Sequence, residues 1–213
     1  MSTKLIYFVR HGETESNAKG IRQGPDGPLS AKGREQALAT AKRFPKYKGR
    51  PQVIISSPFE RARETAEIIG KELSLKVKFS DLLKERKNPT EIIGHSGSEM
   101  EVKKIIDRID KSYHADDLRV SDEENFVDLK NRARKLLSYI SRRNARRIIM
   151  VTHGIFLKMV ISYMLYGESL TATQYNNLSY FNPVDNASMA ICSYKHHWFK
   201  KNEWKLLVWN DLG

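Results

Sequence analysis

The fold is decided by two stretches, Lys4-Leu-Ile-Tyr-Phe-Val-Arg10-His11-Gly12 and Arg147-Ile-Ile-Met-Val-Thr152-His153-Gly154. Each is a short apolar run that ends directly in a His-Gly pair. Such a run predicts a strand buried on both faces, as in a parallel sheet. In open α/β sheets, ligands bind outside the carboxyl ends of the strands. We therefore predict that His11 and His153 face one pocket, and that the glycine after each lets the chain turn sharply near a ligand.

Further strands and helices follow on either side of these stretches. Pro45 stops a predicted helix, and Ser57-Pro58-Phe59-Glu60 and Ser121-Asp-Glu-Glu124 have the pattern of helix starts. The predicted strands are Gln52–Ser56, Lys76–Phe79, Ser188–Lys195 and Trp204–Asn210. The predicted helices are 30–44, one from Ser57 to near Gly70, about 98–113, one that follows Ser121–Glu124 with an apolar stripe from Phe126 to Ile140, and 154 to about 165. The last two strands form a hairpin. This order predicts an α/β fold: a three-layer α/β/α sandwich whose mostly parallel sheet has an antiparallel edge.

Composition limits the class of protein. The chain has 213 residues, 40% hydrophobic and 29% charged, and we expect one domain over 1–213, with 81–120 an insertion over the active site. No apolar run approaches the roughly 20 residues that cross a bilayer, so we expect a cytoplasmic protein without membrane partners. The lone Cys192 excludes an internal disulfide and a multi-cysteine zinc site.

Positive charge is in excess. The net charge is +12, and eight Lys or Arg residues but no Asp or Glu lie between Leu129 and Met150. A solvated helix face explains this run most simply, and an acidic partner or substrate is the alternative. Nucleic acid is disfavoured, because the run lacks interleaved aromatic residues that would stack on bases.

The residue types at these strand ends favour the binding of an anion. Arg61 follows a third predicted strand, Gln52–Ser56, and so comes from the same edge of the sheet as Arg10. The two arginines would bring two guanidinium forks to an anion beside His11. A neutral imidazole is nucleophilic near pH 7. Two arginines and a second histidine would then supply the positive charge without a metal or other cofactor.

Several motifs together resemble the histidine phosphatase (phosphoglycerate mutase-like) superfamily, and in particular its phosphatases. The segments are Arg10-His11-Gly12-Glu13-Thr14, Asp26-Gly27-Pro28-Leu29-Ser30, Ser56-Ser57-Pro58-Phe59-Glu60-Arg61-Ala62, Val151-Thr152-His153-Gly154 and Asp185-Asn186-Ala187-Ser188. They span nearly the whole chain in the family's order. The resemblance implies a phosphoglycerate mutase-like fold and a hydrolase acting on phosphoric monoesters.

The resemblance also implies residue roles. His11 would carry the phosphoryl group, while Arg10, Arg61 and His153 would bind its oxygens. Asn17 and Gln23 would lie at the rim, with the backbone N–H of Gly154 at a helix N-terminus. Glu85 matches the family's acid/base, and Glu91 and Glu13 are the alternatives for that role.

Four functions follow from this reading. The leading one is a metal-independent phosphomonoesterase acting through phosphohistidine on a small anionic metabolite. Phosphoglycerate mutase-like phosphotransfer is disfavoured. Resemblance to a mutase would require a tryptophan-containing block and an arginine-rich, tyrosine-containing block, and both are missing. A phosphoprotein phosphatase would dock an acidic partner on the basic run. A non-catalytic binding module would use only the charge. The sequence does not indicate the oligomeric state.

Overall fold

A computed structural model describes residues 3–46, 49–112, 118–197 and 202–213. Within these ranges the strands are β1 Thr3–Arg10, β2 Val53–Ser56, β3 Val77–Phe79, β4 Arg147–Thr152, β5 Met189–Lys195 and β6 Glu203–Asp211. The helices are α1 Glu15–Ala18, α2 Ala31–Ala41, α3 Glu60–Leu73, α4 Met100–Ser112, α5 Phe126–Ser141, α6 Gly154–Tyr166 and α7 Ala172–Phe181.

The strands form one sheet in the order β3-β2-β4-β1-β5-β6. Strands β3, β2, β4 and β1 are parallel to one another, and β5 is antiparallel to both β1 and β6. The predicted parallel sheet with an antiparallel edge and a C-terminal hairpin is confirmed. Since β1, β2 and β4 are parallel and adjacent, their carboxyl ends meet at one edge, where Arg10, Ser56 and Thr152 are the last strand residues.

Helices cover both faces of the sheet, which confirms the three-layer architecture. On one face, Ile6 and Phe8 of β1 pack with buried residues of α5 and α6. On the other, Tyr7 and Val9 pack with α3 and the end of α2. Alternate residues of a strand point to opposite faces, so both faces need apolar residues. This explains why the strand sequences are continuously hydrophobic.

Two predicted helix starts are wrong. Helix α3 begins at Glu60 rather than Ser57, and its N-cap, Phe59, makes no side-chain capping bond. Helix α5 is capped by a capping box of Asn125 and Asp128 rather than by Ser121. The Ser121 N–H instead donates to the carboxylate of Glu123, which folds the preceding residues into a separate turn.

The remaining boundaries lie within a few residues of the predictions. Helix α2 ends at Ala41, three residues before the predicted Phe44, and Pro45 lies inside a separate 3₁₀ turn, Phe44–Lys46, so it is not the residue that stops α2. Helix α4 ends at Ser112, and the predicted last residue, Tyr113, lies outside the described residues. Within the described ranges, no helix is both long and apolar enough to cross a membrane.

Candidate active site

His11 follows the last residue of β1 and is almost completely buried. Its N–H donates to the Thr152 carbonyl over 3.0 Å, and its own carbonyl accepts from the Ala187 N–H over 3.1 Å. The ring Nδ1 lies 2.7 Å from the Gly12 carbonyl oxygen. Since a carbonyl only accepts, Nδ1 carries the proton and Nε2 holds the lone pair. The backbone thus fixes the tautomer that a nucleophilic Nε2 requires.

Arg61 brings a guanidinium to this nitrogen. It lies in the first turn of α3, is buried, and donates through Nε to His11 Nε2 over 3.3 Å. Its Nη1 donates to the Gly24 carbonyl over 2.8 Å. Arg10 approaches from β1 and donates through Nη1 to the Val184 carbonyl. Both predicted arginines therefore flank His11, each held by a backbone carbonyl.

His153 lies beside His11, with ring centroids 5.1 Å apart, and is fully buried. Its Nε2 lies 2.9 Å from Ser57 Oγ. Ser57 Oγ also accepts the Phe59 N–H over 3.2 Å. The other ring nitrogen of His153, Nδ1, is buried and has no hydrogen-bond partner within the described structure.

The ionisation of these groups is set by burial and by the arginines. Burial, then the charges of Arg61 and Arg10, hold the pKa of His11 well below 6.5. Burial and Arg61 likewise lower the pKa of His153. Burial lowers the pKa of Arg61 to about 10, so the guanidinium stays charged near pH 7. The site therefore combines neutral imidazoles with cationic guanidinium groups, as attack on an anionic phosphoryl group requires.

A cavity of about 270 Å³ opens onto His11. Its wall is mostly polar, and four of the lining residues are cationic. The lining residues are Arg10, His11, Asn17, Ile21, Arg22, Gln23, Arg61, Glu85, Asn88, Gly154, Ile155, Lys158 and Val184. Every predicted site residue lines this cavity except His153, which is in contact with His11.

Glu85 is the carboxylate in the cavity. Its Oε1 accepts the N–H groups of Phe156 and Arg86, each over 2.9 Å, and its Oε2 accepts the Ile155 N–H over 3.2 Å. The carboxylate thus sits at the N-terminus of α6, where the helix dipole favours negative charge. The two alternatives lie elsewhere: Glu91 is exposed, and the Glu13 carboxylate pairs with Lys32.

Asn17 and Gln23 form the rim of the cavity. Gln23 Oε1 accepts from Thr14 Oγ1 over 3.1 Å and from Asn17 Nδ2 over 3.3 Å. Asn17 Oδ1 in turn accepts from Asn186 Nδ2 over 3.3 Å. Gln23 Nε2 is buried without a partner in the described structure. The side-chain NH₂ group of Gln23 is therefore a hydrogen-bond donor beside the cavity that has no partner in the described structure.

These features coincide with a family match over almost the entire chain. A model described as the histidine phosphatase superfamily (branch 1) matches residues 6–212. The chain belongs to this superfamily. The resemblance predicted from the sequence motifs is thereby confirmed.

Curated relatives and solved structures agree with this membership. The chain is 33% identical to a probable phosphoglycerate mutase GpmB of Citrobacter koseri and 35% identical to one of Escherichia coli, covering 75% of this chain and 74% of each relative. It is 26% identical to a mycobacterial glucosyl-3-phosphoglycerate phosphatase complexed with VO3, with a TM-score of 0.77 over 98% and 99% of the two chains. The proteins that this chain resembles thus include probable phosphoglycerate mutases and a phosphatase.

The two glycines that follow His11 and His153 differ in how closely they are packed. Neither Gly12 nor Gly154 adopts a positive φ. A Cβ on Gly12 would lie 2.4 Å from the Gly33 carbonyl oxygen, so close packing of the end of β1 on α2 requires this glycine. A Cβ on Gly154 would lie 3.5 Å from Arg10 Nε, an ordinary van der Waals contact, and Gly154 lines the cavity.

Three residues of the site were missed by the sequence reasoning. Ser57 was interpreted as a helix cap but bonds His153; Asn186 was noted only as part of a motif but donates to the His11 carbonyl over 3.2 Å. Lys158 lines the cavity from the second turn of α6. The position of Ser57 directly after β2 was a usable signal, because His11 and His153 occupy the same position after β1 and β4.

The described residues contain no group of three or more His, Cys, Asp or Glu side chains that could hold a metal ion. The polar groups that line the cavity are instead arginine, lysine, amide and imidazole donors and a single carboxylate. Such groups bind the oxygens of an anion directly.

Proposed function

We propose that this protein is a metal-independent phosphomonoesterase that forms a phosphohistidine on His11. The observation that carries the proposal is the arrangement of His11 Nε2. This lone-pair nitrogen lies in a cationic cavity, with Arg61 Nε at 3.3 Å and Arg10 in the same wall. A nucleophile surrounded by guanidinium groups is suited to an anionic phosphoryl group. The proposed substrate is a small anionic metabolite of the cytoplasm.

In the first step, Nε2 of His11 attacks phosphorus, the P–N bond forms and the P–O bond to the alcohol breaks. Arg10, Arg61 and the Gly154 N–H bind the equatorial oxygens, and the protonated Nδ1 of His153 donates to one of them. Asn17 and Gln23 contact the rest of the substrate at the rim. Glu85 enters this step as the carboxylic acid and gives its proton to the leaving alkoxide. The proton is held on Oε2, which accepts one backbone N–H where Oε1 accepts two.

In the second step, a water molecule attacks the phosphohistidine. Glu85, now a carboxylate, accepts a proton from this water while the new P–O bond forms and the P–N bond breaks. Inorganic phosphate leaves and His11 returns to its neutral form. Covalent transfer thus divides one displacement into two steps that use the same acid/base.

The segment 81–120 is proposed to cover this cavity as part of a single domain. Glu85 and Asn88 line the cavity. The segment is joined to the opposite rim by a bridge between Ile21 and Ser96 and by the Gly94 N–H, which donates to the Arg22 carbonyl over 2.9 Å. These contacts support an insertion that shapes the substrate pocket.

Mutase-like phosphotransfer is the second candidate, because the curated relatives are named probable phosphoglycerate mutases. It differs in the acceptor of the phosphoryl group, which is a second hydroxyl of the substrate rather than water. Incubation with phosphoglycerates separates the two: an isomerase yields the positional isomer, whereas a phosphatase yields glycerate and inorganic phosphate.

A docked phosphoprotein is less well supported. The basic run contributes to a cleft at the amino ends of β2 and β4, opposite the edge that carries His11. This cleft is lined by six cations, Lys76, Lys78, Arg134, Lys135, Arg142 and Arg143. A partner bound there would have to reach around the sheet to place a phosphate at His11.

The test of the proposed function is hydrolysis of p-nitrophenyl phosphate in the presence of EDTA by the wild type and by His11→Ala. We expect turnover that EDTA leaves unchanged and that is lost in the variant. A quenched reaction should also contain an acid-labile phosphoenzyme only in the wild type. Turnover by His11→Ala would contradict the mechanism.

A further inference from the structure

A second cavity, of about 170 Å³, lies between α6, α7 and β6. Its lining is mainly apolar and comprises Lys158, Ile161, Ser162, Leu165, Leu178, Asn182, Leu206 and Trp209. Leu165 is 60% exposed and Leu206 37% exposed, so the cavity is an open groove rather than an enclosed core void. We call it the α6–α7 groove.

The groove continues the catalytic cavity along two separate elements. On α6, Gly154, Ile155 and Lys158 line the catalytic cavity, and Lys158, Ile161, Ser162 and Leu165 line the groove. After α7, Asn182 lines the groove and Val184, two residues later, lines the catalytic cavity. Two independent segments thus pass directly from one cavity into the other.

Lys158 is the residue shared by both cavities. Its Nζ donates to the Ser179 carbonyl near the end of α7 over 2.6 Å, which holds the side chain between the two helices. A lysine places its methylene stem on apolar surface while its ammonium group remains in a polar environment. From Lys158 to Leu165 the helix rises about 10 Å, at 1.5 Å per residue, which gives the length of the groove.

We propose that the α6–α7 groove binds an apolar substituent of the substrate, so that the enzyme prefers amphipathic phosphate monoesters to fully polar ones. The phosphate occupies the site at His11, the ester oxygen faces Glu85, and the apolar group lies along Ile161, Leu165 and Leu206. This inference rests on the proposed phosphatase function, and it names the substrate class of the same site.

The proposal accounts for two features that the phosphoryl chemistry does not use. Leu165 and Leu206 expose apolar surface beside a cationic catalytic cavity. An apolar ligand group gains free energy by covering such surface, in proportion to the area removed from water. A substrate with a polar remainder would gain nothing there and would be discriminated against.

The experiment measures binding of methyl-, butyl- and octylphosphonate to the intact protein by calorimetry, together with kcat/KM for the matching alkyl phosphates. We expect Kd to fall about two- to fourfold for each added methylene until the groove is filled. We expect kcat/KM to rise in parallel.

Two neighbouring leucines of β6 provide a matched pair of variants. Leu206→Asn places a polar group in the groove and should remove most of the dependence on chain length, while methylphosphonate binds as in the wild type. Leu207 is 52% exposed and does not line the groove. Leu207→Asn should therefore retain the full dependence, and it controls for loss of an exposed leucine from this strand.

The outcomes separate this inference from the proposed function. Hydrolysis that is independent of chain length, as expected if the groove serves only a protein partner, would overturn the inference and leave the phosphatase function standing. Binding that strengthens with chain length without hydrolysis would support the groove and reject the phosphatase function. Absence of binding to all three phosphonates would reject both.

Discussion

Arg61 directs its Nε–H at Nε2 of His11 across 3.3 Å, the same nitrogen that the Gly12 carbonyl leaves unprotonated by fixing the proton on Nδ1. The guanidinium thus lies beside the nucleophilic atom and opposes its protonation. One contact therefore links the guanidinium proposed to bind phosphate to the ionisation state of the proposed nucleophile, His11.

Removing this guanidinium should slow catalysis much more than it changes the fold. For Arg61→Met we expect kcat/KM for p-nitrophenyl phosphate to fall by about 10²- to 10³-fold, the usual cost of one preorganised donor to a transition-state oxyanion. The matched control is Arg63→Met, an exposed arginine on the same helix. Equal rates for the two variants, with both folded by circular dichroism, would reject the assigned role.

The pH profile should report the ionisation of His11. Its pKa is lowered by burial and then by Arg61 and Arg10, so the neutral nucleophile persists as the pH falls below 6.5. The acid limb of kcat/KM should therefore lie below pH 6.5. In Arg61→Met the residual activity should have its acid limb at higher pH, because a charge that opposes protonation is gone. A limb that shifts downward would contradict this assignment.

Stability should decrease on mild acidification. The pKa values of His11 and His153 are below 6.5 in the folded protein, whereas in the unfolded chain they return to about 6.5. Below that pH the unfolded state binds more protons, so the free energy of unfolding falls by up to about 1.4 kcal/mol per pH unit for each histidine, until the folded pKa is reached.

Urea unfolding between pH 8 and pH 5 measures how steeply the free energy of unfolding changes with pH. Carboxylates ordinarily titrate below this range. His153→Asn, which cannot titrate there, should show about half of the wild-type slope. A free energy of unfolding that stays constant over this range in the wild type would contradict the prediction.

The loss of kcat on replacing Glu85 should increase with the basicity of the leaving group. Glu85→Gln should reduce kcat by about 10²- to 10⁴-fold for an alkyl phosphate, whose alkoxide needs a proton. The loss should be smaller for p-nitrophenyl phosphate, since p-nitrophenolate leaves without one. Glu91→Gln, on an exposed residue of the same segment, serves as the control and should leave both rates unchanged.

Ser57 should act through His153. Ser57→Ala removes the partner of His153 Nε2 and should cost about 1–3 kcal/mol of stability as well as activity. Ser56 is also fully buried, and its Oγ donates to the carbonyls of Ser57 and Ala62. Ser56→Ala should therefore destabilise the protein to a similar degree while retaining activity. Equal loss of activity in both variants would indicate a structural role for Ser57.

The local patterns predicted most of the fold for identifiable reasons. Strand β1 and strand β4 were predictable because both of their faces are buried, which demands continuous apolar sequence. The stripe of α5 was predictable because all six residues from Phe126 to Ile140 that form it are buried. The starts of α3 and α5 were not, because a serine hydroxyl has several possible partners and the sequence does not show which it takes.

The sequence by itself determined the superfamily, the order of the strands and of the helices other than α1 and α7, and the candidate residues of the site, because motifs at strand ends are local and their residue types are specific. Only the tertiary structure decided the tautomer of His11, the pairing of Ser57 with His153, the presence of Glu85 rather than Glu91 in the cavity, and the groove that adjoins the cavity. These features depend on distances between residues far apart in the chain, and such distances are set by how the helices pack on the sheet.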